Sequence, residues 1–117
     1  VSVPPGWSEP LARRLWEWLQ SRGIDAEPHP ESAVAAFALA YDDGSAANGQ
    51  IEVRPAEAQI VVYLDAPWAV PPDRWSEVAG VIARLNWALP VGNLELNRAG
   101  DLRCRTSVDL EGVDLDP

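Results

Sequence analysis

The sequence predicts an α+β domain in which an antiparallel five-stranded sheet packs with helices, in the order α-β-β-β-α-β-β. Three observations carry this. Apolar residues recur at spacings of three and four in two stretches, near residues 11–19 and 75–89, which is the period of one helix face. Between and after them lie segments in which bulky and small or polar residues alternate with the period of a strand. The last two such segments are joined by a short turn ending in Gly100.

The elements follow in order. Val1 to Gly6 is a Pro-rich lead without a starting Met, which suggests an excised or processed piece. Ser8 is placed to cap the first helix, with Glu9 and Pro10 in its first turn, and Leu11, Leu15, Trp18 and Leu19 form its apolar stripe. Trp16 falls at the edge of that stripe, half exposed, and Gly23 ends the helix. Ile24 to Ser32, with Pro28, His29 and Pro30, reads as a connector.

From Ala33 to Asp42, Ala35, Phe37, Leu39 and Tyr41 alternate with Val34, Ala36, Ala38 and Ala40, so the bulky set should face the core. The alanines also suit a helix, but the alternation and the turn residues Asp42-Asp43-Gly44-Ser45 favour a strand. Gln50 to Arg54 is a short second strand and Gln59 to Ala66 a third, whose Ile, Val and Leu residues on both faces suit a strand covered on each side.

The second helix organises the rest. Pro71 and Pro72 suit the approach to a first turn, and Asp73 and Glu77 favour the positive end of the dipole. Trp75, Val78, Ala79, Ile82, Leu85 and Leu89 form its core stripe before Pro90. Roughly opposite runs a second stripe of Ser76, Gly80, Ala83 and Trp87. Solvated helix faces favour Glu, Lys and Gln, and Gly80 costs about 1 kcal/mol of helix propensity against Ala. Small residues admit another backbone closely, so this stripe is a candidate contact with a partner protein or a second copy. The plainer reading is an Ala-rich face with a half-exposed Trp at its end. Trp68, assigned to the loop from Ala66 to Val70, joins Trp87 as a candidate flank of that surface, against the reading that both shield loop ends.

In the closing hairpin, Arg98-Ala99-Gly100 as a three-residue loop pairs Leu96 with Leu102, Leu94 with Cys104 and Glu95 with Arg103. Apolar then faces apolar and acid faces base, so Glu95 and Arg103 make a solvated cross-strand pair.

The run from Leu85 to Gly112, LNWALPVGNLELNRAGDLRCRTSVDLEG, resembles the signature segment of the YbjN family, which shares the type III secretion chaperone-like fold. The resemblance rests on Leu85-Asn86-Trp87, Gly92, Leu94, Glu95, Gly100, Arg103 and Arg105, within about a quarter of the chain. It implies a small dimeric binding module, some relatives being described as sensory-transduction regulators, with no catalytic residues to carry over. It also implies a further helix after the hairpin, covering the sheet. Leu110, Val113 and Leu115 lead into Asp116-Pro117, which looks like a helix start, so residues 1–117 are expected to be one domain truncated at its C-terminal end, with sheet surface left uncovered.

Composition bounds the function. At 117 residues and 47% hydrophobic content, the chain is large enough for a single core without disulfides. Nine basic against eighteen acidic residues give a formal charge of −9, which disfavours nucleic acid as a partner. The lone Cys104 lies on the apolar face of its strand and suits a reducing cytoplasm. The apolar run from Ala33 to Ala40 is too short to cross a bilayer, so no membrane association is expected. The single His29 sits between two prolines, away from any nucleophile pattern, and the tail acids Asp109, Glu111, Asp114 and Asp116 lack the glycine and ligand order of a calcium loop. The expectation is therefore a non-enzymatic cytoplasmic module, homodimeric, binding a protein partner, with neither metal nor cofactor. The rival is a small-molecule-sensing domain whose ligand enters between sheet and helix.

Overall fold

The computed structural model describes residues 2–112, and the helix start expected at Asp116-Pro117 lies outside them. Two helices, α1 (Pro10–Ser21) and α2 (Trp75–Ala88), accompany six strands: β1 (Glu27–Pro28), β2 (Val34–Ala40), β3 (Ala46–Arg54), β4 (Gln59–Ala69), β5 (Asn93–Leu96) and β6 (Asp101–Asp109). All strands form one antiparallel sheet in the order β1-β2-β3-β4-β6-β5. The α+β class and the order of the longer elements are as the sequence predicts. The sixth strand, β1, replaces part of the expected connector: Glu27 pairs with Ala36 and Pro28 with Ala35. A two-residue strand containing Pro has no alternation to read, and pairing with β2 alone defines it.

The start of α1 also differs in detail. Glu9, not Ser8, is the N-cap, its carboxylate accepting from the Ala12 N–H, and Pro10 fills the first helical position. The buried stripe is Ala12, Trp16 and Leu19, with Leu11 and Leu15 packing beside it. Trp16 is therefore core, at 6% exposed, whereas Trp18 is 49% exposed and stacks against the Arg22 guanidinium. The helix is turned by about one residue from the expected face because Trp7, in a short 3-10 turn before it, must be accommodated. Trp7 is fully buried, its ring 5.3 Å from that of Trp16, and the small Ala12 beneath is fully buried too.

Across the sheet, Ala35, Ile51, Val62 and Thr106 form one row, and Phe37, Gly49, Leu64, Cys104 and Leu94 form the next. Burial fades along the first row away from α1: Ala35 and Ile51 are buried, while Val62 and Thr106 are only half-buried. The core is thus α1, Trp7 and the β2–β3 side of the sheet. Gly49 leaves room there for the Phe37 ring lying over it, which a Cβ would displace. Leu39 and Tyr41, expected in the core, are 43% and 53% exposed because α1 ends before reaching them.

The closing hairpin has the predicted register, with Leu96 opposite Leu102, Leu94 opposite Cys104 and Glu95 opposite Arg103. Gly100 closes its turn at φ +85°, a conformation that favours glycine. β4 is longer than expected and, past an irregularity after Asp65, resumes pairing at Ala69 with Asp101.

Candidate partner interface

α2 runs along the free side of β5 instead of over the middle of the sheet. At its start the Trp75 indole donates to the Val70 carbonyl at 2.7 Å, and the Val70 N–H donates to the Gly100 carbonyl, tying the helix to the hairpin turn. Near its end the Asn86 side chain spans the backbone of Leu94, its amide donating to the Leu94 carbonyl at 3.0 Å and its carbonyl accepting from the Leu94 N–H at 2.8 Å. Glu95 and Asn93 pair toward β6, so the groups of Leu94 point the other way, outward from the sheet. One carboxamide thereby does at Leu94 what a neighbouring strand would do.

No residue of α2 is buried. Val78 and Ile82 are half-buried, but Leu85 and Leu89, expected in the core, are 46% and 39% exposed. The correction has a plain cause: a helix lying beside a four-residue edge strand has little floor beneath it. Periodicity identifies the apolar face of a helix without saying whether anything covers it.

Ser76, Gly80, Ala83 and Trp87 lie on α2; Ser76 and Ala83 are exposed, and Trp87 is 93% exposed. A Cβ built on Gly80 would meet no atom within 4 Å, so the stripe is clear of the domain's own sheet. Trp68 falls on β4 instead of in a loop, and is 59% exposed. It stands close in sequence to Val70, at the N-terminal end of α2, while Trp87 is at the other end, about 18 Å along the helix from Trp75. The two tryptophans bracket the helix and do not meet.

Sequence reasoning overlooked Asn86, although the signal was there: a polar residue four positions after Ile82 interrupts an apolar stripe. The rival reading has a ligand enter between sheet and helix without naming residues, and a cavity of about 400 Å³ lies between the C-terminal end of α1 and the sheet. Leu19, Ile24, Phe37, Ile51 and Val62 line it, and Asp25 is the one charged residue in its wall.

Several other polar side chains are engaged in structural contacts. The Glu95 carboxylate takes the Arg103 Nε at 2.9 Å, and Arg103 also lies over the Tyr63 ring at 4.4 Å. His29 accepts from the Glu31 N–H through Nδ1. Among the described residues no three His, Cys, Asp or Glu side chains gather as a metal site, and no helix is long and apolar enough to cross a membrane.

No family model matches the chain, and neither does any curated protein. Among solved structures, it is similar to the crystal structure of YbjN from E. coli, described as a candidate transcription regulator, with a TM-score of 0.61 at 13% sequence identity over 84% of this chain and 70% of that one. At that identity the likeness speaks for architecture, and it agrees with the resemblance carried by Leu85 to Gly112: the chain has the YbjN-like fold.

Proposed function

We propose that this chain is a non-catalytic protein-binding module, a chaperone-like or regulatory adaptor that works through α2 and associates as a homodimer on the same surface. One observation carries the reading: among the described residues a 14-residue helix rich in Val, Ile, Leu and Trp has none of them fully buried, and leaves Val81, Leu85 and Trp87 exposed. Contiguous apolar surface of that kind marks interaction sites, and Trp is the residue type most enriched where binding energy concentrates. The small side chains at Ser76, Gly80 and Ala83 let a second helix approach closely between the tryptophans at either end.

Sedimentation of Trp87→Ala and Gly80→Leu tests this. Both variants are expected to shift the mass from two chains to one. Gly80→Leu should at the same time raise monomer stability by about 0.5–1 kcal/mol through helix propensity, since open space lies beyond its Cβ. Unchanged mass in both variants, with the fold intact, overturns the dimer.

The cavity beside α1 supports a second reading, a domain that senses a small apolar molecule. Its volume falls in the range of ligand sites, although a single carboxylate offers little to orient a polar ligand.

A further inference from the structure

The two edges of the sheet are treated differently. On β5 the outward groups of Leu94 are capped by the Asn86 amide and α2 lies alongside, whereas β1 covers only the first part of β2, at Ala35 and Ala36. The Val34 carbonyl accepts from the His29 N–H on the outer side, and Tyr41 donates inward to Ser45. By the period of two, Ala38 and Ala40 aim their N–H and C=O groups outward, where no strand among the described residues meets them. Exposed strand edges are usually blunted by Lys, Pro or a bulge. The stretch from Phe37 to Tyr41 has none of these, pairs with β3 without interruption, and exposes Leu39 and Tyr41.

The 400 Å³ cavity opens beside this edge: Phe37, Ala38 and Leu39 belong to its wall together with Leu19, Ile24 and Ile51. An unpaired backbone row next to an apolar hole is the arrangement by which a sheet takes up an extended peptide, with the ladder supplying affinity and the hole selecting a side chain. Phe37 and Leu39 point to the face that α1 covers, so a residue opposite either of them on an added strand would direct its side chain toward the cavity.

We propose that the β2 edge from Phe37 to Ala40 and the cavity beside it form a docking site for an extended segment of a partner protein, which adds a strand to the sheet, seats one large apolar side chain, and carries Arg or Lys at its flanks. The charge preference comes from the rim, where Asp25 and Glu27 stand at one end and Asp42 and Asp43 at the other. The Asp43 carboxyl is held below the usual carboxylate range by hydrogen bonds from the Ser45 hydroxyl and N–H. The same acids argue against a second copy in this place, since antiparallel pairing of two β2 edges would bring the acidic turn of each beside Asp25 and Glu27 of the other. A small molecule in the cavity would leave the outward groups of Ala38 and Ala40 unpaired. The proposal rests on the protein-binding reading but uses a surface separate from α2.

Selection of a random twelve-residue peptide library on the intact chain, followed by synthesis of the most enriched peptide, tests it. The expected sequences alternate apolar and other residues, carry Arg or Lys near the ends and lack central Pro. On binding, the amide protons of Ala38 and Ala40 should gain at least tenfold protection from exchange. Ala38→Pro should weaken binding at least tenfold without unfolding the domain, because that N–H points outward and serves no internal ladder bond. Exchange on the unmodified chain decides the matter even if the variant folds poorly. Binding without protection of these two amides, equal binding to a folded Ala38→Pro, enrichment of acidic peptides, or no enrichment at all overturns the edge site. None of these outcomes bears on the mass shift in Trp87→Ala, so failure here and failure of the α2 interface are separable.

Discussion

The two helices hold to the same sheet by opposite means. α1 is fixed by burial: Trp7, Ala12, Trp16 and Leu19 pack on Ala35, Ile51 and Val53, and the indole N–H groups of Trp7 and Trp16 are buried without a hydrogen-bond partner. α2 is fixed by hydrogen bonds, through Trp75 to Val70 and Asn86 to Leu94, with no side chain buried. Apolar burial tolerates an unpaired N–H when the area gained outweighs it, whereas a hydrogen-bonded dock places a helix accurately at small net gain. The α1 half is therefore the stable body of the domain, and the α2 half is an element held in place with its apolar surface available.

The largest break in that contrast comes from Trp16→Ala. It removes a ring that is 6% exposed and packed at a tilt against Trp7, and should cost about 3–5 kcal/mol in denaturant unfolding. A loss under 1 kcal/mol would mean that α1 is not where the core lies. Asn86→Ala comes next. It strips the partner from both backbone groups of Leu94 at a half-buried position, and should cost about 1–2 kcal/mol while raising amide exchange along α2 and β5 more than along α1. Equal acceleration in both helices would show that they unfold as one unit and erase the distinction.

How much of this was legible depended on whether the deciding interaction was local. The hairpin register was readable to the residue, because the Gly100 turn and the alternation of Leu94, Leu96, Leu102 and Cys104 admit one pairing with apolar opposite apolar. The face of α1 was not, because Leu11, Leu15 and Trp18 make nearly as good a stripe as Ala12, Trp16 and Leu19; the choice was made by Trp7, which docks from outside the helix. β1 was invisible because Glu27-Pro28 is a strand only in the company of Ala35 and Ala36. On the candidate surface, the small-residue stripe could be seen in the sequence. The exposure of Leu85 and Leu89 could not, since it depends on the short β5 lying beneath the helix and not on their spacing.

The smallest effect tests whether the polar side of the contrast extends across the sheet. Glu95 and Arg103 face each other on β5 and β6, with side chains 35% and 44% exposed, and Arg103 leans on Tyr63 of β4. Solvent screens a pair this open, so the coupling between Glu95→Gln and Arg103→Gln in a double-mutant cycle should stay at about 0.2–1 kcal/mol and shrink with added salt. Because the guanidinium also stacks on an aromatic ring, Arg103→Gln alone should cost more than Glu95→Gln alone. If the two single losses are equal, Arg103 serves only its ion pair, and β5 is joined to the rest of the sheet by backbone and Asn86 without help from Tyr63. A weakly tied β5 would let the strand and α2 move together, so the partner surface and the edge strand beneath it would respond as one piece to whatever binds.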